Sequence, residues 1–176
     1  MSKKQVNMFW KKRKQTCRVC GKEHVGFPAI GFDTPFYYDG LTQEEKQEIA
    51  QISTDFCAIE YSDQTDRFIR TVLSIPIVGS CERLDYGIWV SVSEKTWDEY
   101  RRNFDVDSEP KTYFGMISNE LNDYQSTTLG LYTDVKTQKN GLRPEIIPHQ
   151  STHPLVSDWE NGISLAEAER RIQRIV

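Results

Sequence analysis

The sequence has few of the features that identify the common protein classes. No apolar run approaches the ~20 residues that a transmembrane helix requires. The apolar stretch at residues 6–10 is too short for the core of a signal peptide, and basic residues close it off. We therefore expect a cytoplasmic protein that does not associate with a membrane.

The sequence also lacks the short motifs of familiar enzymes. It contains neither the phosphate-binding G-x-x-x-x-G-K-[ST] nor the dinucleotide-binding G-x-G-x-x-G, and neither the hydrolase motif G-x-S-x-G nor the metalloprotease motif H-E-x-x-H. Its four cysteines are too few for a disulfide-stabilised fold, so we expect thiols or metal ligands. These absences favour a non-enzymatic binding protein.

Charge is distributed unevenly along the chain. Residues 1–14 carry six lysines and arginines and no acidic residue, whereas residues 15–176 carry a net charge of −10. We interpret residues 1–14 as a basic arm and residues 15–176 as one domain, since 11% aromatic residues can fill a core. Phe9 and Trp10 of the arm can stack on bases, but we favour the alternative, a solvated terminus without a ligand. The acidic domain repels nucleic acid and favours a protein partner, in particular a basic one.

Hydrophobic periodicity predicts an α+β fold, with an antiparallel sheet of five or six strands and about three helices. Thr42-Gln-Glu-Glu45 and Ser164-Leu-Ala-Glu167 match the capping box, and Ser93 can cap a third helix. The predicted helices are 42–52, 94–103 and 164–175. The predicted strands are 55–61, 67–78, 86–93, 113–118, 128–137 and 142–148, the last an edge strand because of its two prolines. Residues 26–39 are predicted to form a loop.

Trp89 is the first candidate binding residue. Ile88, Val90 and Val92 alternate with Trp89 and two serines, so the tryptophan lies on the face opposite the core. That second face is either covered by another element or forms the floor of a binding site.

The strongest chemical motif is Cys17-Arg-Val-Cys20-Gly-Lys-Glu-His24. Cys-x-x-Cys-Gly is typical of a zinc knuckle, in which the glycine lets the backbone turn around the two thiolates. Cys17, Cys20 and His24 supply three of the four ligands that a structural zinc site needs. The fourth is expected from Cys57, Cys81, His149 or His153, or from a water molecule. A redox pair and two ordinary cysteines are the competing interpretations.

The other candidates are single residues with two interpretations each. Arg143 can pair with a carboxylate, Glu82, Asp85 or Glu145, or can bind an anionic ligand. His153 is a candidate binding residue, but Pro148 and Pro154 disfavour a helix through it, so a surface or capping role is the alternative. Cys57 is expected to be buried, and Cys81 is a nucleophile only if a base lies nearby.

Several blocks of sequence occur in an order that resembles a known bacterial family. They are Phe32-Asp-Thr-Pro35, Ile75-Pro-Ile-Val-Gly79, Tyr86-Gly-Ile-Trp-Val-Ser-Val-Ser-Glu94, Gly141-Leu-Arg-Pro144 and His153-Pro-Leu155. With the leading Cys-x-x-Cys-Gly-x-x-His, they resemble a family of short proteins known only as a domain of unknown function. The resemblance spans about residues 15–176 and implies a bacterial cytosolic protein of one domain, without implying a reaction.

Two hypotheses follow. The first is an interaction protein with a structural zinc knuckle, and an immunity protein is one class that fits its size and acidity. The second is a zinc-dependent enzyme, a hydrolase, in which an open zinc position holds water.

Overall fold

The structure is a computed structural model, and it describes residues 14–16, 21, 23–139 and 141–174. Ten strands and five helices form in these residues. The strands are β1 (Lys14–Thr16), β2 (Glu23–Val25), β3 (Ile30–Gly31), β4 (Ala50–Ile52), β5 (Phe56–Glu60), β6 (Thr65–Pro76), β7 (Arg83–Ser91), β8 (Thr112–Ile117), β9 (Tyr132–Lys136) and β10 (Glu145–Pro148). The helices are α1 (Phe36–Asp39), α2 (Gln43–Glu48), α3 (Glu94–Arg102), α4 (Pro154–Asn161) and α5 (Leu165–Gln173).

Five of the strands close on themselves. β6 to β10 pair antiparallel in sequence order, and β10 then returns to β6 as its parallel neighbour, with Glu145 opposite Val72. The result is a mixed five-stranded barrel. Three further strands extend the sheet, β5 and β4 beyond β6, and β3 beside β7. A separate two-stranded hairpin contains β1 and β2.

The alternation of side chains along the strands divides the core into two clusters. Ile69 and Leu73 of β6 join Ile88 and Val90 of β7 in the main cluster, which also receives Leu155 of α4. On the opposite face of β5, β6 and β7, a second cluster contains Cys57, Ile59, Phe68 and Trp89, covered by Tyr38, Leu41 and Ile49. Each large side chain buried in this way contributes about 1.5–3 kcal/mol through the hydrophobic effect.

The three predicted helices are confirmed, and their N-caps explain where they begin. The Glu45 amide donates to Thr42 Oγ1 and the Thr42 amide to Glu45 Oε2, which completes the capping box of α2. Ser93 and Ser164 each accept one amide N–H at the start of α3 and α5. Such a cap contributes about 1 kcal/mol, because it satisfies a donor that the helix cannot.

The α+β class is correct, but several details of the predicted fold are wrong. The main sheet has eight strands and is mixed, because β3–β7 and β10–β6 are parallel. The region 26–39 contains β3 and α1, and the predicted tail of α2 is strand β4. β10 is an interior strand between β9 and β6. α4, which sequence periodicity did not reveal, packs against β6.

Candidate interaction surface

The structure does not bring the predicted binding residues together. Trp89 is fully buried, and its indole Nε1 donates to the Phe32 carbonyl at 3.1 Å. Its backbone amide donates to Asn119 Oδ1 at 2.7 Å. This face of β7 is therefore covered by other elements and does not form the floor of a binding site. The ring of Trp89 is part of the second cluster.

Arg143 lies at the junction where the barrel closes. Its Nε donates to Asp55 Oδ1 at 2.6 Å, a partner that sequence analysis did not consider. The Asp55 carbonyl accepts the Arg70 amide, and the Pro144 carbonyl accepts the Val72 amide. β5 and β10 pair with β6 along the same edge, one after the other. The ion pair therefore joins the start of β5 to the start of β10.

His153 caps helix α4. Its Nδ1 accepts the Leu155 amide at 3.1 Å, and its Nε2 lies 3.2 Å from the Ser126 carbonyl. Because Nδ1 is an acceptor, Nε2 carries the proton and donates it. The capping interpretation of His153 is therefore confirmed, and both ring nitrogens are engaged within the protein.

The zinc prediction falls mainly on residues that the structure does not describe. Cys17 and Cys20 lie outside the described residues, and of His24 only the backbone is described, opposite Gln15 in the β1–β2 hairpin. Gly21 has a φ of +68°, the left-handed conformation that the knuckle requires of its glycine. Zinc binding by this motif stays a prediction.

Among the proposed fourth ligands, Cys57 has no exposed surface, and burial raises the pKa of its thiol to about 12. A thiol with that pKa stays protonated at neutral pH, whereas zinc binds the thiolate. The expectation that Cys57 behaves as a buried apolar residue is confirmed.

A cluster of exposed apolar side chains lies on the outside of the barrel, on β8, β9 and β10. Phe114, Met116, Tyr132 and Ile147 are each between 36% and 58% exposed. They are neighbours because Met116 lies opposite Tyr132, while Phe114 and Ile147 flank Asp134 on the two sides of β9. The rings of Phe114 and Tyr132 meet edge to face with centroids 5.3 Å apart. We call these four residues, together with Asp134 and His149, the outer face.

A histidine–aspartate pair completes the outer face. His149 Nε2 lies 2.8 Å from Asp134 Oδ1, and both side chains are about half-exposed. The His149 ring also contacts the Phe114 ring, with centroids 5.9 Å apart, and its amide donates to the Tyr132 carbonyl. The imidazole is thus held in one orientation next to exposed aromatic rings.

Sequence analysis located these strands but missed the surface. In Thr112–Ile117, Phe114 and Met116 alternate with Tyr113 and Ile117, so both faces of β8 are apolar. Periodicity cannot then tell which face points into the barrel. A cluster of exposed apolar side chains is typical of protein-binding sites, because isolated soluble proteins rarely leave large apolar patches in water.

A bacterial protein family matches the chain over residues 16–163; it is described as "uncharacterized protein conserved in bacteria (DUF2199)". Since the match covers most of the sequence, the chain belongs to this family, which confirms the resemblance seen in its motifs. No curated protein and no solved structure matches the chain. In the described residues, no helix is both long and apolar enough to cross a membrane.

Proposed function

We propose that this member of the DUF2199 family is a non-enzymatic interaction module that binds another protein through the outer face. The observation that carries the proposal is the exposure of four large apolar side chains, Phe114, Met116, Tyr132 and Ile147, around Asp134 on three paired strands. Aromatic residues and methionine are enriched at the centres of protein interfaces, and a few such residues dominate the binding energy.

The charge of the chain indicates the chemistry of the partner. Residues 15–176 carry a net charge of −10, and the outer face contributes the carboxylate of Asp134, while in the next cross-strand row Glu145 lies opposite Lys136. An acidic surface accelerates association with a basic partner and repels an acidic one. The proposed partner is therefore a basic protein with apolar side chains at its contact surface. An immunity protein, which neutralises a toxin by binding it, is one function of this kind.

We also propose that Cys17, Cys20 and His24 hold a structural zinc ion. The spacing of the ligands and the positive φ of Gly21 support this proposal. Elemental analysis of the untagged protein should find about one zinc per chain, which the double variant Cys17→Ser/Cys20→Ser should lose. If wild-type protein purified under reducing conditions contains no zinc, the proposal is wrong.

Site-specific photo-crosslinking in the source bacterium tests the interaction surface. A photoreactive phenylalanine analogue replaces Tyr132 in one strain and Leu165 in another. Leu165 is a matched control because it is also half-exposed and apolar but lies at the start of α5. We expect one discrete crosslinked protein from position 132 and none from position 165. No adduct at position 132, or the same adducts at both positions, would overturn the proposal.

Binding of the purified partner should then depend on the outer face. Phe114→Ala and Tyr132→Ala should each weaken the affinity at least about tenfold, as expected for central aromatic residues. Leu165→Ala should leave the affinity unchanged. If the adduct is a second copy of this chain, and Tyr132→Ala converts a dimer to a monomer in analytical ultracentrifugation, the face is a self-association surface and the proposed basic partner is wrong.

A further inference from the structure

Arg70 is a largely buried arginine with an unusual lack of partners. Its side chain, on β6, is 15% exposed, and its guanidinium lies over the Trp89 ring, 5.8 Å from the centroid. Its Nε is buried and has no hydrogen-bond partner among the described residues. The nearest carboxylate, Asp33, is fully exposed and 3.9 Å away, which is too far for a hydrogen bond.

The two other arginines whose side chains are at most one-fifth exposed in the ion pairs described are paired closely. Arg67 has Glu94 at 2.7 Å, and Arg171 has Asp158 at 2.6 Å. Removing a guanidinium from water is costly unless its donors find acceptors, so this fold normally supplies one. Arg70 departs from that pattern.

Two glycines lie beside the Arg70 guanidinium. Gly31 of β3 lies opposite Gly87 of β7, so no side chain projects from either position. A Cβ atom at Gly31 would lie 3.7 Å from the Arg70 Nη2, and Gly31 itself is exposed. A small group can therefore approach the guanidinium across these two glycines.

We infer that Arg70 binds an oxyanion, a carboxylate or a phosphate group, above Gly31 and Gly87. The planar guanidinium offers paired N–H donors that match two oxygens of either group. The Trp89 ring lies below the guanidinium in a cation–π contact. Asp33 competes weakly with the ligand, since its exposed carboxylate can swing away.

This site is separate from the outer face. Arg70, Gly31 and Gly87 belong to β6, β3 and β7, whereas the outer face lies on β8, β9 and β10. The inference therefore stands or falls independently of the proposed protein partner. Two residues singled out in the sequence adjoin this site: Trp89 contacts Arg70 directly, and Arg143 binds Asp55, whose carbonyl accepts the Arg70 amide.

NMR spectroscopy of the arginine Nε–Hε groups tests the inference directly. Inorganic phosphate and succinate are titrated separately into the ¹⁵N-labelled full-length chain at constant ionic strength. The Arg70 signal and the Trp89 indole signal should shift together and reach saturation with at least one of the two anions. The anion that saturates them distinguishes a phosphate from a carboxylate ligand.

Variants separate specific binding from general attraction. Arg70→Gln should abolish the saturable shift at Trp89, whereas Arg67→Gln should preserve it. Asp33→Asn should tighten binding about twofold to fivefold, the effect expected from removing one surface charge. Since Asp33 is fully exposed, that variant keeps the inference testable even if Arg70→Gln fails to fold. Linear, unsaturated shifts with both anions, or unchanged binding in Arg70→Gln, would show an adventitious ion only and overturn the inference.

Discussion

Arg171 offers the sharpest test of how the last helix is attached to the barrel. Its side chain is 4% exposed, and its Nε and Nη2 bind Glu167 and Asp158 at 2.7 Å and 2.6 Å. Its Nη1 donates to the hydroxyls of Tyr124 and Tyr86 at 3.0 Å and 3.3 Å. One guanidinium thus links α5, α4, β7 and the loop before β9.

Removing this guanidinium should destabilise the protein strongly. Breaking a buried ion pair costs about 3–5 kcal/mol, because the partner charges stay behind without compensation. Asp158 and Glu167 are partly exposed and can be rehydrated by water, so we expect the lower end, about 3 kcal/mol, for Arg171→Ala. For a chain of this length that corresponds to a fall in Tm of about 6–12 °C.

Arg170→Ala is the matched control. Arg170 is adjacent, lies on the same helix and binds the same carboxylate of Glu167, but its side chain is 43% exposed. An exposed pair of this kind contributes about 0–1 kcal/mol. Urea unfolding followed by tryptophan fluorescence, with unchanged m-values, measures both variants. If the two variants differ by less than about 1 kcal/mol, burial of Arg171 does not determine its contribution, and the argument is wrong.

Three further measurements probe other parts of the fold. The Cys57 thiol, with its pKa near 12, should resist alkylation at pH 8 until urea unfolds the chain, as peptide mapping would show; rapid labelling in the native state contradicts this. Arg170 and Arg171 lower the pKa of Glu167 from 4.5 to about 2, so its carboxylate stabilises the fold above pH 4.5 and loses that effect as the pH falls towards 2. The stability difference between wild type and Glu167→Gln should therefore shrink over that range, and a constant difference would argue against the ion pairs. Gly115→Ala should cost about 1–3 kcal/mol, since its Cβ would lie 2.9 Å from Val135 Cγ2, while Gly26→Ala, with open space around it, should be nearly neutral in thermal unfolding.

Local signals in the sequence predicted the local structure well. The Thr42 and Ser93 caps, the alternation along β7 and the hairpin between β9 and β10 all involve residues close together in the chain. The parallel pairing of β10 with β6 joins distant segments, and no periodicity in either strand encodes it. Pro144 and Pro148 suggested an edge strand, but β10 meets β6 at a single residue pair, so few amide donors are needed there.

The candidate sites were harder to predict because they depend on which surfaces stay uncovered. Trp89 was identified as unusual, but only the fold shows that the second cluster covers its ring and that Arg70 lies over it. Phe114 and Tyr132 look like ordinary strand residues in the sequence, and they are exposed because the alternate residues of β8 and β9, such as Ile117 and Val135, point into the core. Which side chains become covered and which stay exposed depends on contacts between distant segments, so it cannot be predicted from the local sequence.

The single parallel pair that closes the barrel has a consequence for biosynthesis. β6 to β9 can pair one after another while the chain leaves the ribosome, but β6 keeps one edge unpaired beyond β5 until Glu145 emerges. Contacts between distant segments form slowly, and an open strand edge can pair with other chains in the meantime. Arg143, two residues before β10, then forms its ion pair with Asp55 and holds the start of β10 next to the start of β5. The nascent protein is therefore most vulnerable to aggregation just before its last strand arrives, and that interval is where a chaperone would protect it most.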